Sequence, residues 1–185
     1  MARFEELQMM LVESATKYLD LYSMQVFTEQ FTLDRESKIF LTLQDMEPPY
    51  LISTSVSYTF DAFQTGLSLF REENDDDDSD IDSTVDLDFN IKLPALRNYP
   101  DITSLYESVA DMLEDTDAGL TTREYLDTEG SFKEYEITYS YEIDQGEDLD
   151  PELFDEIFSE LKEVMDYIYH KTEAYIDMSW YGPEQ

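Results

Sequence analysis

A chain of 185 residues with 42% hydrophobic and 14% aromatic content is long enough to bury a core, so we read it as one domain, 1–185. Forty-five acids against eleven bases leave a net charge of −34, which excludes direct nucleic-acid or anionic-membrane partners and favours cationic proteins. The absence of cysteine excludes a disulfide framework and thiolate chemistry.

Residues 2–22 are expected to form a first helix, with Phe4, Leu7, Leu11, Ala15, Tyr18 and Tyr22 along one side. Residues 24–33 read as a strand, Asp34 to Ser37 as a polar turn, and Ile39, Leu41 and Leu43 as the inward set of a second strand. In residues 50–60, Ile52, Thr54, Val56 and Tyr58 alternate with Ser53, Ser55, Ser57 and Thr59, the pattern of a half-buried strand. Residues 62–70 are assigned as a further strand bent at Gly66. Residues 72–83, EENDDDDSDIDS, form a flexible acidic loop of low complexity. The loop lacks the glycine that the sixth position of a calcium-binding EF-hand needs, since Asp80 falls there when counting starts at Asp75.

Strand 84–93 turns Val85, Leu87, Phe89, Ile91 and Leu93 inward and leaves Asp86 and Asp88 outward. Aspartate is a poor strand residue, so this placement costs propensity. Guarding an edge strand is one explanation for it. A middle helix follows Pro100 and Asp101 and runs to about Thr116, with Asp101 or Ser104 as cap. Ile102, Leu105, Tyr106, Val109, Met112 and Leu113 make its buried stripe, and Glu107, Asp111, Glu114 and Asp115 its acidic side. Gly119 is expected to stop this helix. A hairpin of 120–127 and 132–143 comes next, with Tyr135, Ile137, Tyr139, Tyr141 and Ile143 inward.

The last helix starts at the cap Asp150 with Pro151 in the first turn. Leu153, Phe154, Ile157, Phe158, Leu161, Val164, Met165 and Ile168 form its apolar stripe. Another face carries Glu152, Glu156, Glu160 and Glu163, like charges at helical spacing that a helix built for stability alone would alternate with lysine. Residues 178–185, with Trp180, are read as a tail docked on the domain. The expected fold is therefore α+β: a mainly antiparallel sheet of about five to seven strands with an N-terminal, a middle and a long C-terminal helix.

The chain carries one histidine, His170, and five glycines, with no phosphate-binding loop, dinucleotide turn or nucleophile elbow. Carboxylate pairs are so frequent that none is selected for hydrolysis. We expect no enzyme activity, no cofactor and no metal site. No apolar run reaches membrane-spanning length, and the N-terminus lacks a signal pattern, so a cytoplasmic setting is expected.

The charge equals the phosphates of about 17 base pairs of duplex, on a domain about 40 Å across, the length of about 12 base pairs. Carboxylates on outward faces and sound apolar faces behind them point to a DNA mimic. Its binding residues would be Glu152, Glu156, Glu160 and Glu163 with Asp86 and Asp88, or with Glu107, Asp111, Glu114 and Asp115, as a second row. The composition resembles that of phage- and plasmid-encoded inhibitors of restriction and other defence nucleases, which implies a basic nucleic-acid-binding protein as partner, in the host cytoplasm. Two alternatives stand beside it. The helix–sheet–helix order is similar to that of bacterial secretion-chaperone-like folds, implying an acidic adaptor for a basic client and a homodimer. A halophilic surface on an ordinary domain is the other.

Overall fold

The structure, a computed structural model, describes residues 4–30, 34–43, 52–61, 84–113, 116, 118–127, 130–144 and 150–178. Their elements run α1 (Phe4–Tyr18), β1 (Leu21–Gln30), β2 (Asp34–Leu43), β3 (Ser53–Asp61), β4 (Thr84–Lys92), α2 (Ile102–Met112), β5 (Gly119–Asp127), β6 (Gly130–Asp144) and α3 (Pro151–Thr172), which ends in a 3-10 turn, Glu173–Tyr175. The six strands make one antiparallel sheet in the order β1-β2-β3-β4-β6-β5. The expected α+β class, mainly antiparallel sheet and three helices are thus present.

Alternation decides the faces. Ile39, Val56, Phe89 and Tyr139 lie in one cross-strand row and are all buried. Leu41, Thr54, Ile91 and Ile137 form the next. These rows meet the apolar stripes of the helices, with Leu7 and Leu11 of α1 and Phe154, Phe158, Leu161 and Met165 of α3 in the same core. Phe89 stacks on Tyr139 at 5.0 Å and meets Phe158 edge-on at 6.1 Å, so α3 crosses the middle of the sheet. α3 lies against both α1 and α2, placing the helices on one side. Ser14 and Lys17 of α1 both hydrogen-bond Asp155 of α3.

Several expectations change. Helix α1 ends at Tyr18, and Tyr22 stands exposed in β1 instead of on the helix stripe. Asp34 to Ser37 are strand, not turn, because α1 holds their polar groups: Arg35 pairs with Glu5 and lies over the Phe4 ring, and Gln8 donates to Ser37. β4 sits between β3 and β6, and Asp88 is paired on both sides, so it guards no edge, while Asp86 is in register with β6 alone. Gly119 opens β5 rather than stopping α2, whose cap residue is Leu113. A side chain at Gly119 would bring its Cβ to 3.0 Å from Thr138 Oγ1, so the Thr138 hydroxyl would have to shift to admit one. Leu153, assigned to the buried stripe of α3, is 37% exposed. The strand assigned to 62–70, the acidic loop 72–83 and Trp180 lie outside the described residues.

A second fastening closes the far end. Leu96 bridges both Lys133 and Ile176, and Arg97 grips Asp177 through Nε at 3.0 Å and Nη2 at 2.7 Å. Asn98 takes a left-handed φ of 57° in the turn that follows, a conformation asparagine tolerates better than most residues.

Candidate carboxylate face on the helical layer

The caps that start the two acidic helices are the ones the residues suggest. Asp101 accepts from Ser104 N at 3.1 Å, and Asp150 accepts from Glu152 N at 2.9 Å. Each satisfies an N-terminal donor and fixes where its helix begins. The rotation of each acidic side chain about its axis follows from that start.

On α3, Glu152, Glu156 and Glu163 are exposed. Glu160 is not with them. It is half-buried and accepts a hydrogen bond from the Tyr141 hydroxyl on β6. The physical reason is helical drift: each i,i+4 step turns about 40° beyond a full turn, so Glu160 has rotated roughly 80° from Glu152, toward the sheet. The exposed row therefore advances about 6 Å from Glu152 to Glu156 and then about 10 Å to Glu163. Lys162 is neutralised within the helix by Asp166 at 2.8 Å, and Lys171 lies over the Tyr167 ring at 5.4 Å.

On α2, Glu107 and Asp111 are exposed one turn apart, and the helix contains no base. Leu105 and Val109 bury the opposite stripe, and Tyr106 ties α2 to the start of β5 by donating to the Ala118 carbonyl. Glu114 and Asp115 lie outside the described residues.

Asp86 and Asp88 are exposed on the other side of the molecule. Since Val85, Leu87 and Phe89 of the same strand point into the core beneath α3, the aspartates open away from the helices. They cannot form a second row beside α3. Asp86 faces the exposed Glu142 across the strands, and bases lie farther along the same surface. Ser140 donates to Asp88 at 2.6 Å. Lys92 stands opposite Glu136, and Arg123 opposite Glu134, in cross-strand register. A shallow depression between β4, β6 and β5 is lined by Lys92, Thr121, Arg123, Glu134 and Glu136, two bases against two acids.

One candidate for other chemistry is also placed. His170 is exposed near the end of α3, its ring 6.1 Å from that of Tyr169. Among the described residues no group of three or more His, Asp or Glu side chains is placed to hold a metal ion. Among them, too, no helix is long and apolar enough to cross a membrane. Sequence reasoning missed Asp155, which accepts from Ser14 at 3.0 Å and from Lys17. That contact holds the Asp155 carboxyl below its usual range and the Lys17 ammonium above its own. It spends one acid of α3 on fastening α1.

No protein-family model, curated protein or solved structure matches this chain.

Proposed function

We propose that the helical layer is a docking face for a cationic protein and that the chain acts as a DNA mimic, blocking the nucleic-acid groove of a basic DNA-binding protein such as a defence nuclease. The observation that carries this reading is the contrast between the two sides of the sheet. On the open side, bases interrupt the acids, with Lys92 facing Glu136 and Arg123 facing Glu134 in register, beside the like-charged pairs Asp86–Glu142 and Glu29–Glu36. On α2 and α3, Glu107, Asp111, Glu152, Glu156 and Glu163 are exposed, α2 has no base, and Lys162 is spent on Asp166. One strand of duplex offers a charge per 3.4 Å of axis, denser than either helix alone, so both helices contribute rows. The acids of β4 belong to a different surface and take no part.

The test is capture of proteins on the immobilised chain from host lysate at low salt, followed by elution with duplex DNA. Nucleic-acid-binding proteins should be captured and released by the duplex. Changing Glu107, Glu152, Glu156 and Glu163 to Gln together with Asp111→Asn should abolish capture, while Asp86→Asn with Asp88→Asn should leave it intact. Capture that resists duplex DNA, or that the β4 pair of changes abolishes, contradicts the proposal.

The adaptor reading is favoured by one observation, the exposed apolar side chains along β1. Tyr22, Val26 and Phe27 are all exposed, with Phe40 beside them on β2. Val26 faces the helical side and Phe27 and Phe40 the open side, so exposed apolar area lies along this sheet edge on both faces.

A further inference from the structure

The two edges of the sheet are built differently. β5, at one edge, carries Arg123 and Glu124, both exposed. Charges of this kind discourage another strand from pairing. β1, at the other edge, has the sequence LYSMQVFTEQ, with one acid, no base and no proline. Nine of its residues are in register with β2 from Leu21↔Leu43 to Gln30↔Arg35, and among the described residues no strand lies on its other side. Apolar side chains are exposed on both of its faces: Val26, level with inward-facing Ile39, is 42% exposed, and Phe27, on the open side, is 53% exposed. Phe27 also meets Phe40 edge-on at 5.6 Å, extending the strip on the open face.

Charge decides what fits there. A cationic partner is steered to carboxylates, and β1 offers only Glu29, in a chain with forty-five acids. The long neutral stretch on a body of net charge −34 is where a second, equally acidic copy meets least repulsion. An isologous contact also needs a surface complementary to itself, and an antiparallel pair of identical strands meets that condition.

We propose that β1 is a homodimer interface, in which two copies pair their β1 strands antiparallel and join their sheets into one. The register centred on Val26 sets this residue across from its own copy, Phe27 across from Gln25, Met24 across from Thr28, and Glu29 across from Ser23. It keeps the helical layers of both copies on one side of the common sheet and brings no two acids opposite each other. The surface is separate from the carboxylate face of α2 and α3, so the dimer and the cationic partner can be tested apart.

Sedimentation equilibrium of the full chain over a range of concentrations reads the dimer directly. Association should strengthen as salt rises, because screening weakens the repulsion between the bodies while the strand contact is apolar and backbone-mediated. Binding of a cationic partner should respond to salt in the opposite sense. Val26→Lys should weaken the dimer by about tenfold or more, whereas Leu126→Lys on the β5 edge should leave it unchanged. The chain has no cysteine, so Val26→Cys gives a second readout that does not depend on the lysine variant folding. Under mild oxidation it should form a covalent dimer, and Leu126→Cys should not. A monomer at every salt concentration, or cross-linking through Leu126→Cys as fast as through Val26→Cys, overturns the proposal.

Discussion

Tyr141 on β6 donates its hydroxyl to Glu160 on α3, and this contact removes one carboxylate from the helix surface to pin the helix across the sheet. The neighbouring Tyr139 hydroxyl is fully buried and finds no hydrogen-bond partner among the described residues. Two tyrosines two positions apart on one strand should therefore respond to the same change with different signs. Tyr141→Phe takes one hydrogen bond away from a half-buried carboxylate and should cost about 2 kcal/mol, the usual range for a hydrogen bond to a charged group. Tyr139→Phe removes a hydroxyl that was desolvated for no return and should be neutral or stabilise by up to about 1 kcal/mol. Urea unfolding of the two variants checks the pair, and an equal loss in both would refute this account of α3 docking.

Alkaline pH should unfold the protein through its core tyrosines. Burial pushes the Tyr58 hydroxyl up to about 12, against a smaller opposing effect of its Ser37 hydrogen bond and Arg35. Burial raises Tyr139 and Tyr141 as well, and Glu160 adds to both. In the unfolded chain these groups ionise near 10, so between about pH 10 and 12 the folded state holds more protons than the unfolded one. Stability is then fully present below about pH 10 and falls as pH rises, by about 3 kcal/mol for Tyr58 alone. Phenolate absorbance followed alongside circular dichroism should show a late group of tyrosines titrating together with loss of fold. A smooth titration of all tyrosines near 10 with the fold intact would contradict the burial of this cluster.

How far the residues disclose this arrangement depends on which interactions decide it. The inward parity of β3, β4 and β6 is carried by strict alternation, and the caps Asp101 and Asp150 by local chemistry, so both could be read in advance. The position of β4 in the middle of the sheet is set by pairing between segments distant in sequence, and nothing within Thr84–Lys92 encodes it. The same is true of β2, where Arg35 and Ser37 read as turn residues until Glu5 and Gln8 of α1 are placed over them. At the candidate face, exposure of Glu152, Glu156 and Glu163 followed from helical spacing. The withdrawal of Glu160 depended on a hydroxyl from another element, and its only trace was the i,i+8 drift from Glu152.

Self-repulsion should make stability rise with salt without making salt a requirement for folding. The net charge is −34, and Glu29 stands directly opposite Glu36 in the β1–β2 register. Like charges in that position are unfavourable. Raising ionic strength from about 0.01 M to 0.1 M shortens the screening length from about 30 Å to about 10 Å, which weakens repulsion across the whole domain. We expect a gain of about 1 kcal/mol, or about 3 °C in Tm for a domain of this size. The core, with Leu11, Val56, Leu87 and Phe154 fully enclosed, should keep the chain folded at the low-salt end. Loss of helical circular dichroism at about 0.01 M salt would instead favour halophilic adaptation as the origin of the charge.

The contact between Arg97 and Asp177 should be the most sensitive ion pair among the described residues. Asp177 is buried, and it receives the arginine through two nitrogens at 3.0 and 2.7 Å. The backbone reinforces the same junction: Asp177 N donates to the Ala95 carbonyl at 2.8 Å and Arg97 N to the Tyr175 carbonyl at 2.9 Å, while Tyr99 meets Tyr175 edge-on at 5.2 Å. The pairs Lys17–Asp155 and Arg35–Glu5 each have an exposed partner and should matter less when broken. Arg97→Ala removes the two-nitrogen grip on a buried carboxylate and should cost about 3 kcal/mol. Arg97→Lys should recover part of that loss, because a lysine restores the charge but not the two-nitrogen grip. Asp177→Asn should cost less than Arg97→Ala, since it keeps an acceptor and removes the buried charge. Thermal melts of the three variants give this order directly. If Arg97→Ala melted no lower than a surface variant such as Lys17→Ala, the segment after α3 would not be fastened to the middle of the chain in the way described.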